Sequence, residues 1–395
     1  MTSPQRPPIL LAYAFRPFFL LTGLYGLLIV LAWMGFLFGG LPLPLGMNPM
    51  QWHAHEMLMG LVPPAIAGFL LTAMCNWTGA PPLQGRGLLA LVLLWVAGRV
   101  VMWSAGLLPG WLVFAVDMAF LPVLALYAGK VLHHYGNKRN LILVAVLGLL
   151  TLTNLLMHIA TLNHLTQMGQ LAEVLALDLI AVVLVVVAGR ITPAFTGNWL
   201  RIQGQDPATV KRSDGLDRAT LAATMLMIPA DLITGVPALG GVVALVAAGL
   251  NLARLAGWAG WKTLREPLLW ILHLGYLWIP VALLLKGLTP FIDQLLPTAW
   301  FHAMGTGAIA TLILGVMTRV ALGHTGRPLK LPKLALLIYL GISLAALARV
   351  LVTLNLVNYR LGLMVSALGW CVAFILFVLL YWPILSSPRA DGRPG

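Results

Sequence analysis

The segment Leu171-Ala-Glu-Val-Leu-Ala-Leu-Asp-Leu-Ile-Ala-Val-Val-Leu-Val-Val-Val-Ala-Gly-Arg-Ile191 decides the fold class of this chain. It is apolar on all sides, interrupted by Glu173, Asp178 and Arg190, and matches the about 20 helical residues needed to cross about 30 Å of hydrocarbon. Segments of the same kind recur at 17–39, 54–76, 87–106, 111–133, 140–160, 216–235, 237–257, 267–288, 299–321, 333–354 and 361–383. With 171–191 they make about twelve transmembrane helices. The fold class expected is an all-α polytopic membrane protein. The spans form a single transmembrane helical domain over 1–395, with one polar loop at 190–217 between helices 6 and 7.

Composition agrees with this. Of 395 residues, 60% are hydrophobic and 9% charged, with mean hydropathy +0.94. An ordinary soluble domain carries roughly a quarter charged residues, so a water-soluble globule is excluded. Cys75 and Cys371 lie inside apolar runs and offer neither a disulfide framework nor a cysteine metal motif. Residues 1–8 are polar and Pro-rich, and the next apolar run is too long for a signal peptide, so no cleavable targeting segment is expected.

The net charge of +13 comes from 24 Lys and Arg against 11 Asp and Glu. In a soluble protein it would suggest nucleic acid. Here the cations alternate by loop, as the cytoplasmic bias of Lys and Arg requires. With both termini cytoplasmic, Arg6, Arg16, Arg86, Lys130, Arg190, Arg254, Arg389 and most of the remainder fall on one side. Lys286 and Arg360 fall on the other, and Arg99 and Arg349 fall inside spans. The charge is a topology signal, and no nucleic-acid partner is expected.

Ionisable groups inside a span are costly enough that each is a candidate for function. His53, His55 and Glu56 open the second span, His158 closes the fifth, and His302 opens the tenth, all toward the outer face; His273 is deeper in the ninth. Histidine is the commonest metal ligand, and facing helices of a bundle can supply axial imidazoles to a haem. Residues two apart diverge by about 200° on a helix, so His53 and His55 cannot serve one metal from a regular turn. Either each serves its own partner or the pair anchors the helix at the headgroups. His53, His55, His158, His273 and His302 are the candidate metal ligands, His273 being equally readable as a hydrogen-bonded packing group. Arg99 and Arg349 each need an anionic partner, a haem propionate or a carboxylate such as Asp117. Glu56, Asp117, Asp178 and Asp231 are candidate proton carriers. Met57, Met304 and Met317 are weaker candidates as soft ligands, and His133 and His134 read as snorkelling groups.

The string His55-Glu56-Met57…Gly60…Gly68…Thr78-Gly79 recurs 247 positions later as His302-Ala303-Met304…Gly307…Gly315…Thr325-Gly326. Asn198-Trp199 after the sixth span echoes Asn76-Trp77 after the second. Spans two, six and ten then mark a pseudo-threefold repeat of four-helix units, an architecture resembling the haem–copper oxidase core. No adjacent His-His copper ligands of that family lie in the matching place.

Several ordered motifs are more specific. Phe15-Arg16-Pro17-Phe18-Phe19, Trp52-His53-Ala54-His55-Glu56-Met57, Gly68-Phe69-Leu70-Leu71-Thr72-Ala73, Asn76-Trp77-Thr78-Gly79, Gly189-Arg190-Ile191 and Gly315-Val316-Met317-Thr318-Arg319, continuing to Gly323-His324-Thr325-Gly326-Arg327-Pro328, resemble the NnrS family. The resemblance implies a multi-pass protein of the bacterial inner membrane that contains haem, of b type, and copper, and takes part in nitric oxide metabolism under nitrosative stress. It transfers no ligand assignment residue by residue. His324 within its motif reads as a loop lock or as part of an anion contact through Arg327.

Two classes of function follow. The first is an oxidoreductase that binds nitric oxide and reduces it to nitrous oxide, with a cytochrome or quinol as electron donor. The alternative is a transporter of copper, haem or another small solute, supported by Pro63-Pro64, Pro193, Pro229 and Pro280 within spans, or a non-catalytic nitric oxide sensor.

Overall fold

The computed structural model describes residues 7–233 and 235–393. Arg6, read above as a cytoplasmic cation, and residue 234, inside the expected seventh span, lie outside the described residues.

The described residues form no strand and twelve long helices. These are α1 (Phe15–Gly39), α2 (Pro49–Thr78), α3 (Gly85–Trp103), α4 (Gly110–His134), α5 (Lys138–Leu162) and α6 (Thr166–Ile202). They continue as α7 (Asp214–Leu232), α8 (Pro237–Ala256), α9 (Pro267–Phe291), α10 (Thr298–His324), α11 (Lys333–Thr353) and α12 (Tyr359–Ser386). Eleven are long and apolar enough to cross a membrane; α7, with Asp214, Asp217, Arg218 and Asp231 in 19 residues, is the exception. The protein is a polytopic membrane protein. Its surface is apolar, with Leu126, Leu361 and Leu368 largely exposed, while Arg16, His55, Glu56, Arg99, Asp117 and Asp178 are buried. That inversion suits a lipid solvent and would aggregate in water.

The chain groups into two compact units. One comprises residues up to Ala176, Val320–Leu329 and Phe377 onward; the other comprises Leu177–Arg319 and Lys330–Leu376.

In the first unit α2 packs on α1, where Gly68 lies so close to Phe19 that a Cβ would sit 2.7 Å from its ring. Arg16, expected as a cytoplasmic cation, is fully buried and donates to the carbonyls of Leu385 (2.6 Å) and Ser387 (2.8 Å). Those carbonyls end α12, whose last turn has no intrahelical donors to offer them. The motif around His324 is a loop lock: its ring lies 5.6 Å from that of Phe15, its carbonyl accepts from Arg389, and the Thr325 carbonyl accepts from the Ala390 amide. Asp391, tied to Arg389, is held down to about 2 by that hydrogen bond.

In the second unit α8 packs on α7 and α9, and α9 on α10. Here α6 runs through Arg190 and Pro193 to Ile202, so the first half of the expected 190–217 loop is helical. Pro193 has no N–H to offer the Gly189 carbonyl. Arg254 takes that place: its Nη2 donates to the Gly189 carbonyl (3.4 Å) and its Nη1 to that of Val185 (2.9 Å), while Nε donates to Asp217 (2.5 Å). Arg254 is thus buried, standing in for one missing amide donor of a continuous helix, rather than a loop cation. A Cβ at Gly189 would lie 2.1 Å from Nη1, and the guanidinium is pinned on three sides. We expect Gly189→Ala to lower stability by about 1–3 kcal/mol, the usual cost of overpacking, in thermal unfolding of the detergent-solubilised protein. An unchanged melting curve would contradict this role.

Two helices contain π-helical turns, Glu56–Leu61 in α2 and Ala303–Ala310 in α10. Each begins directly after a histidine, His55 or His302, and the two starts are 247 positions apart, the offset of the sequence match. In α2 the cause is legible. Pro63 and Pro64 withhold the amides that would bond the Met59 and Gly60 carbonyls, and the Trp95 indole donates to Gly60 instead (3.1 Å). In α10, Gly307 allows the Trp278 indole to approach to 2.6 Å of a built Cβ. α6 carries no π turn through Asn198-Trp199.

Candidate metal centre

Four helices of the first unit bring ionisable side chains to one buried point, and Tyr25 of α1 joins them. α2 presents His55, just before its π turn, and Glu56, the first residue of it; α3 presents Arg99, α4 Asp117, and α5 Asn154 and His158. α4 breaks at Asp117: its first segment ends there and the next begins at Phe120, because Pro122 cannot donate to the Met118 carbonyl. The carboxylate is therefore carried on a helix end, where it can meet three neighbouring helices.

Asp117 is the hub. Its Oδ2 lies 2.9 Å from His158 Nε2 and 3.2 Å from His55 Nε2, and accepts from Asn154 Nδ2 at 2.9 Å. Its Oδ1 accepts from Arg99, whose other arm pairs with Glu56. Glu56 also accepts from the Tyr25 hydroxyl and lies 2.9 Å from His55 Nδ1. Trp103 Nε1 donates to Tyr25 at 2.9 Å, and Asn154 Oδ1 lies 2.9 Å from His55 Nε2. Gly60 makes room: a Cβ there would stand 2.8 Å from the Tyr25 ring and 2.9 Å from Arg99.

His55, Asp117 and His158 each offer a ligand atom, all within 4.8 Å of one another. Donor atoms around a tetrahedral ion at about 2.1 Å stand roughly 3.4 Å apart, and the separations here approach that. Two imidazoles and a carboxylate suit copper, zinc or ferrous iron. Glu56 on His55 Nδ1 supplies the outer hydrogen bond that orients a ligating imidazole. The set fits a metal ion.

A cavity of about 10 Å³ opens beside the two imidazoles, lined also by Met47, Met157, Gln51 and Glu173. It accepts one water-sized body. A porphyrin needs a pocket of several hundred Å³, so haem does not fit this cavity.

The other expected residues lie elsewhere. His53 stacks on Trp33 with ring centroids 4.4 Å apart, on the other side of its helix from His55. His302 belongs to the second unit, its Nδ1 2.7 Å from the Thr298 carbonyl. His273, also in the second unit, has Nε2 2.9 Å from Thr196 and lies edge-on to Trp258. Arg349 is half-buried and, among the described residues, forms no ion pair with a carboxylate, while Arg99 forms two. Asp178 and Asp231 clasp Lys286 of the second unit. Met304 and Met317 are buried outside the metal-binding group; the thioethers beside it are Met47 and Met157. His133 and His134 are exposed at the end of α4.

Tyr25 and Asn154 carry no expectation from the sequence, and Lys286, expected as an outer-face cation, is buried. Asn154 is four residues before His158 in an otherwise apolar helix, a spacing that puts both on one face. No curated protein matches the chain. A family model described as NnrS protein matches residues 9–389. With nearly its whole length matched, the chain belongs to the NnrS family.

Proposed function

We propose that the protein is a metal-dependent oxidoreductase of the bacterial cytoplasmic membrane, with both termini inside, that binds nitric oxide at the His55–Asp117–His158 centre and reduces it to nitrous oxide. The observation that carries this reading is the convergence of two imidazoles and a carboxylate at a buried point, backed by a charge-neutralising arginine. Copper is the ion we assign, from the family and from the two thioethers that join the imidazoles at the cavity. When bound, it would supply an open position for a small ligand and a one-electron couple. The haem that the family resemblance implies would be seated outside this cavity.

The residues do the rest. Nitric oxide is small, neutral and soluble in lipid, so a site without a polar channel still receives it, and the narrow cavity keeps larger solutes out. Coupling two molecules to nitrous oxide and water takes two electrons and two protons. Glu56 touches both His55 and Tyr25 and holds a position from which a proton can be passed toward the cavity. Arg99 pairs with both Glu56 and Asp117 and fixes them in place. The electrons we assign to a cytochrome or quinol.

The test uses purified, full-length protein. Metal analysis should find copper near one per chain, and an anaerobic sample with excess reductant should consume nitric oxide and release nitrous oxide. Metal-replete protein that binds nitric oxide without turnover would favour a sensor over an enzyme. His55→Ala protein that keeps its copper would remove the site assignment altogether.

A further inference from the structure

The second unit holds a buried charge cluster of its own. Lys286 of α9 donates to Asp178 Oδ1 of α6 at 2.5 Å and to Asp231 Oδ2 of α7 at 2.6 Å. Trp300 of α10 presents its ring face 4.7 Å from Nζ, and Gly240 of α8 abuts Asp231, where a Cβ would fall 2.5 Å from Oδ1. Asp178 is 1% exposed, Lys286 7% and Asp231 14%, which orders the three from inside to outside. Asp178 Oδ2 is buried and receives no donor from the described residues.

Two carboxylates against one ammonium leave one negative charge in excess, and no donor among the described residues reaches Asp178 Oδ2. In a low-dielectric interior an uncompensated carboxylate is far more costly than a protonated one. The cluster around Arg99 has the same plan of one cation between two carboxylates, yet there Tyr25, Asn154, His55 and His158 cover the remaining oxygens. The cations differ too. A guanidinium does not give up its proton in a protein, whereas a lysine ammonium releases and regains one when buried.

We propose that Asp178, Lys286 and Asp231 form a proton-binding site, holding one exchangeable proton beyond those of the ammonium and passing it between Asp231 at the edge and Asp178 within. In the exchange Lys286 breaks an N–H bond to give Asp178 an O–H, and the amine so formed takes the proton from Asp231. One proton moves inward and the charge of the cluster is unchanged. The site stands independently of nitric oxide chemistry.

Infrared spectroscopy of the full chain in liposomes tests this. At neutral pH the wild-type protein should show the C=O stretch of a protonated carboxyl that shifts on [4-13C]aspartate labelling and in D2O. This measurement needs no variant. The band should vanish in Asp178→Asn, and in Lys286→Arg its deuterium exchange should slow by about tenfold because the guanidinium cannot relay. Absence of a labelled band in the wild type would overturn the proposal. So would its survival in both Asp178→Asn and Asp231→Asn, its appearance only when sodium is withheld, or exchange at the wild-type rate in Lys286→Arg.

Discussion

Arg99→Met is expected to cost about 3–5 kcal/mol of stability, the range for removing one partner of a buried ion pair. Arg99 stands between Glu56 and Asp117, both essentially inaccessible to solvent, and pairs with each. Methionine keeps much of the side-chain volume, so the loss reports charge rather than a void. Both carboxylates would be left facing each other's charge in a membrane interior. Detergent-solubilised protein should lose its folded, monodisperse peak at lower temperature than the wild type. Arg99→Met combined with Asp117→Asn should recover part of the loss, because one of the orphaned charges is gone. A single variant within about 1 kcal/mol of wild type would show that the cluster does not depend on this cation.

His158→Ala should do the reverse. It deletes one of three ligand atoms, so bound metal is expected to fall from stoichiometric to background on dialysis against a weak chelator. Folding should suffer little, by about 1–2 kcal/mol from the small void and lost hydrogen bond. Asp117 Oδ2 still accepts from Asn154 and faces His55 when His158 is absent. Glu56→Gln, which keeps the three ligands while changing the group that holds His55 Nδ1 and pairs with Arg99, should weaken metal affinity by about 10–100-fold. Retention of metal by His158→Ala would mean that the three residues are a hydrogen-bonded polar core and nothing more.

Much of this architecture was legible in the chain. Twelve helices stand near the expected segments because apolar length is a strong signal, and His55, Glu56, Arg99, Asp117 and His158 stood out because charge in a span is costly. Depth along a span says nothing of direction around the helix. His53 and His302 therefore shared the expected depth with His55, yet one faces Trp33 and the other belongs to another unit. The π turn after His55 could not be read from a period that assumes a regular helix, and Pro63-Pro64, which withhold the amides there, entered the expectation only as prolines within a span. Arg16, Arg254 and Lys286 were sorted by loop when they are buried. Each stands at the end of a helix, where a long side chain can turn inward to carbonyls or carboxylates as readily as outward to headgroups.

A π turn acts as a dislocation in a helix. One added residue rotates everything beyond it by about 100° relative to everything before it. In α2 the azimuth of His55 is therefore uncoupled from that of Gly68, and each end of the helix can be aimed at its own neighbour. His55 meets α4 and α5, while Gly68 seats against Phe18 and Phe19 of α1. A regular helix of the same length would have to compromise one contact for the other. α10 carries the same dislocation beyond His302, so that histidine too is aimed independently of the helix that follows it.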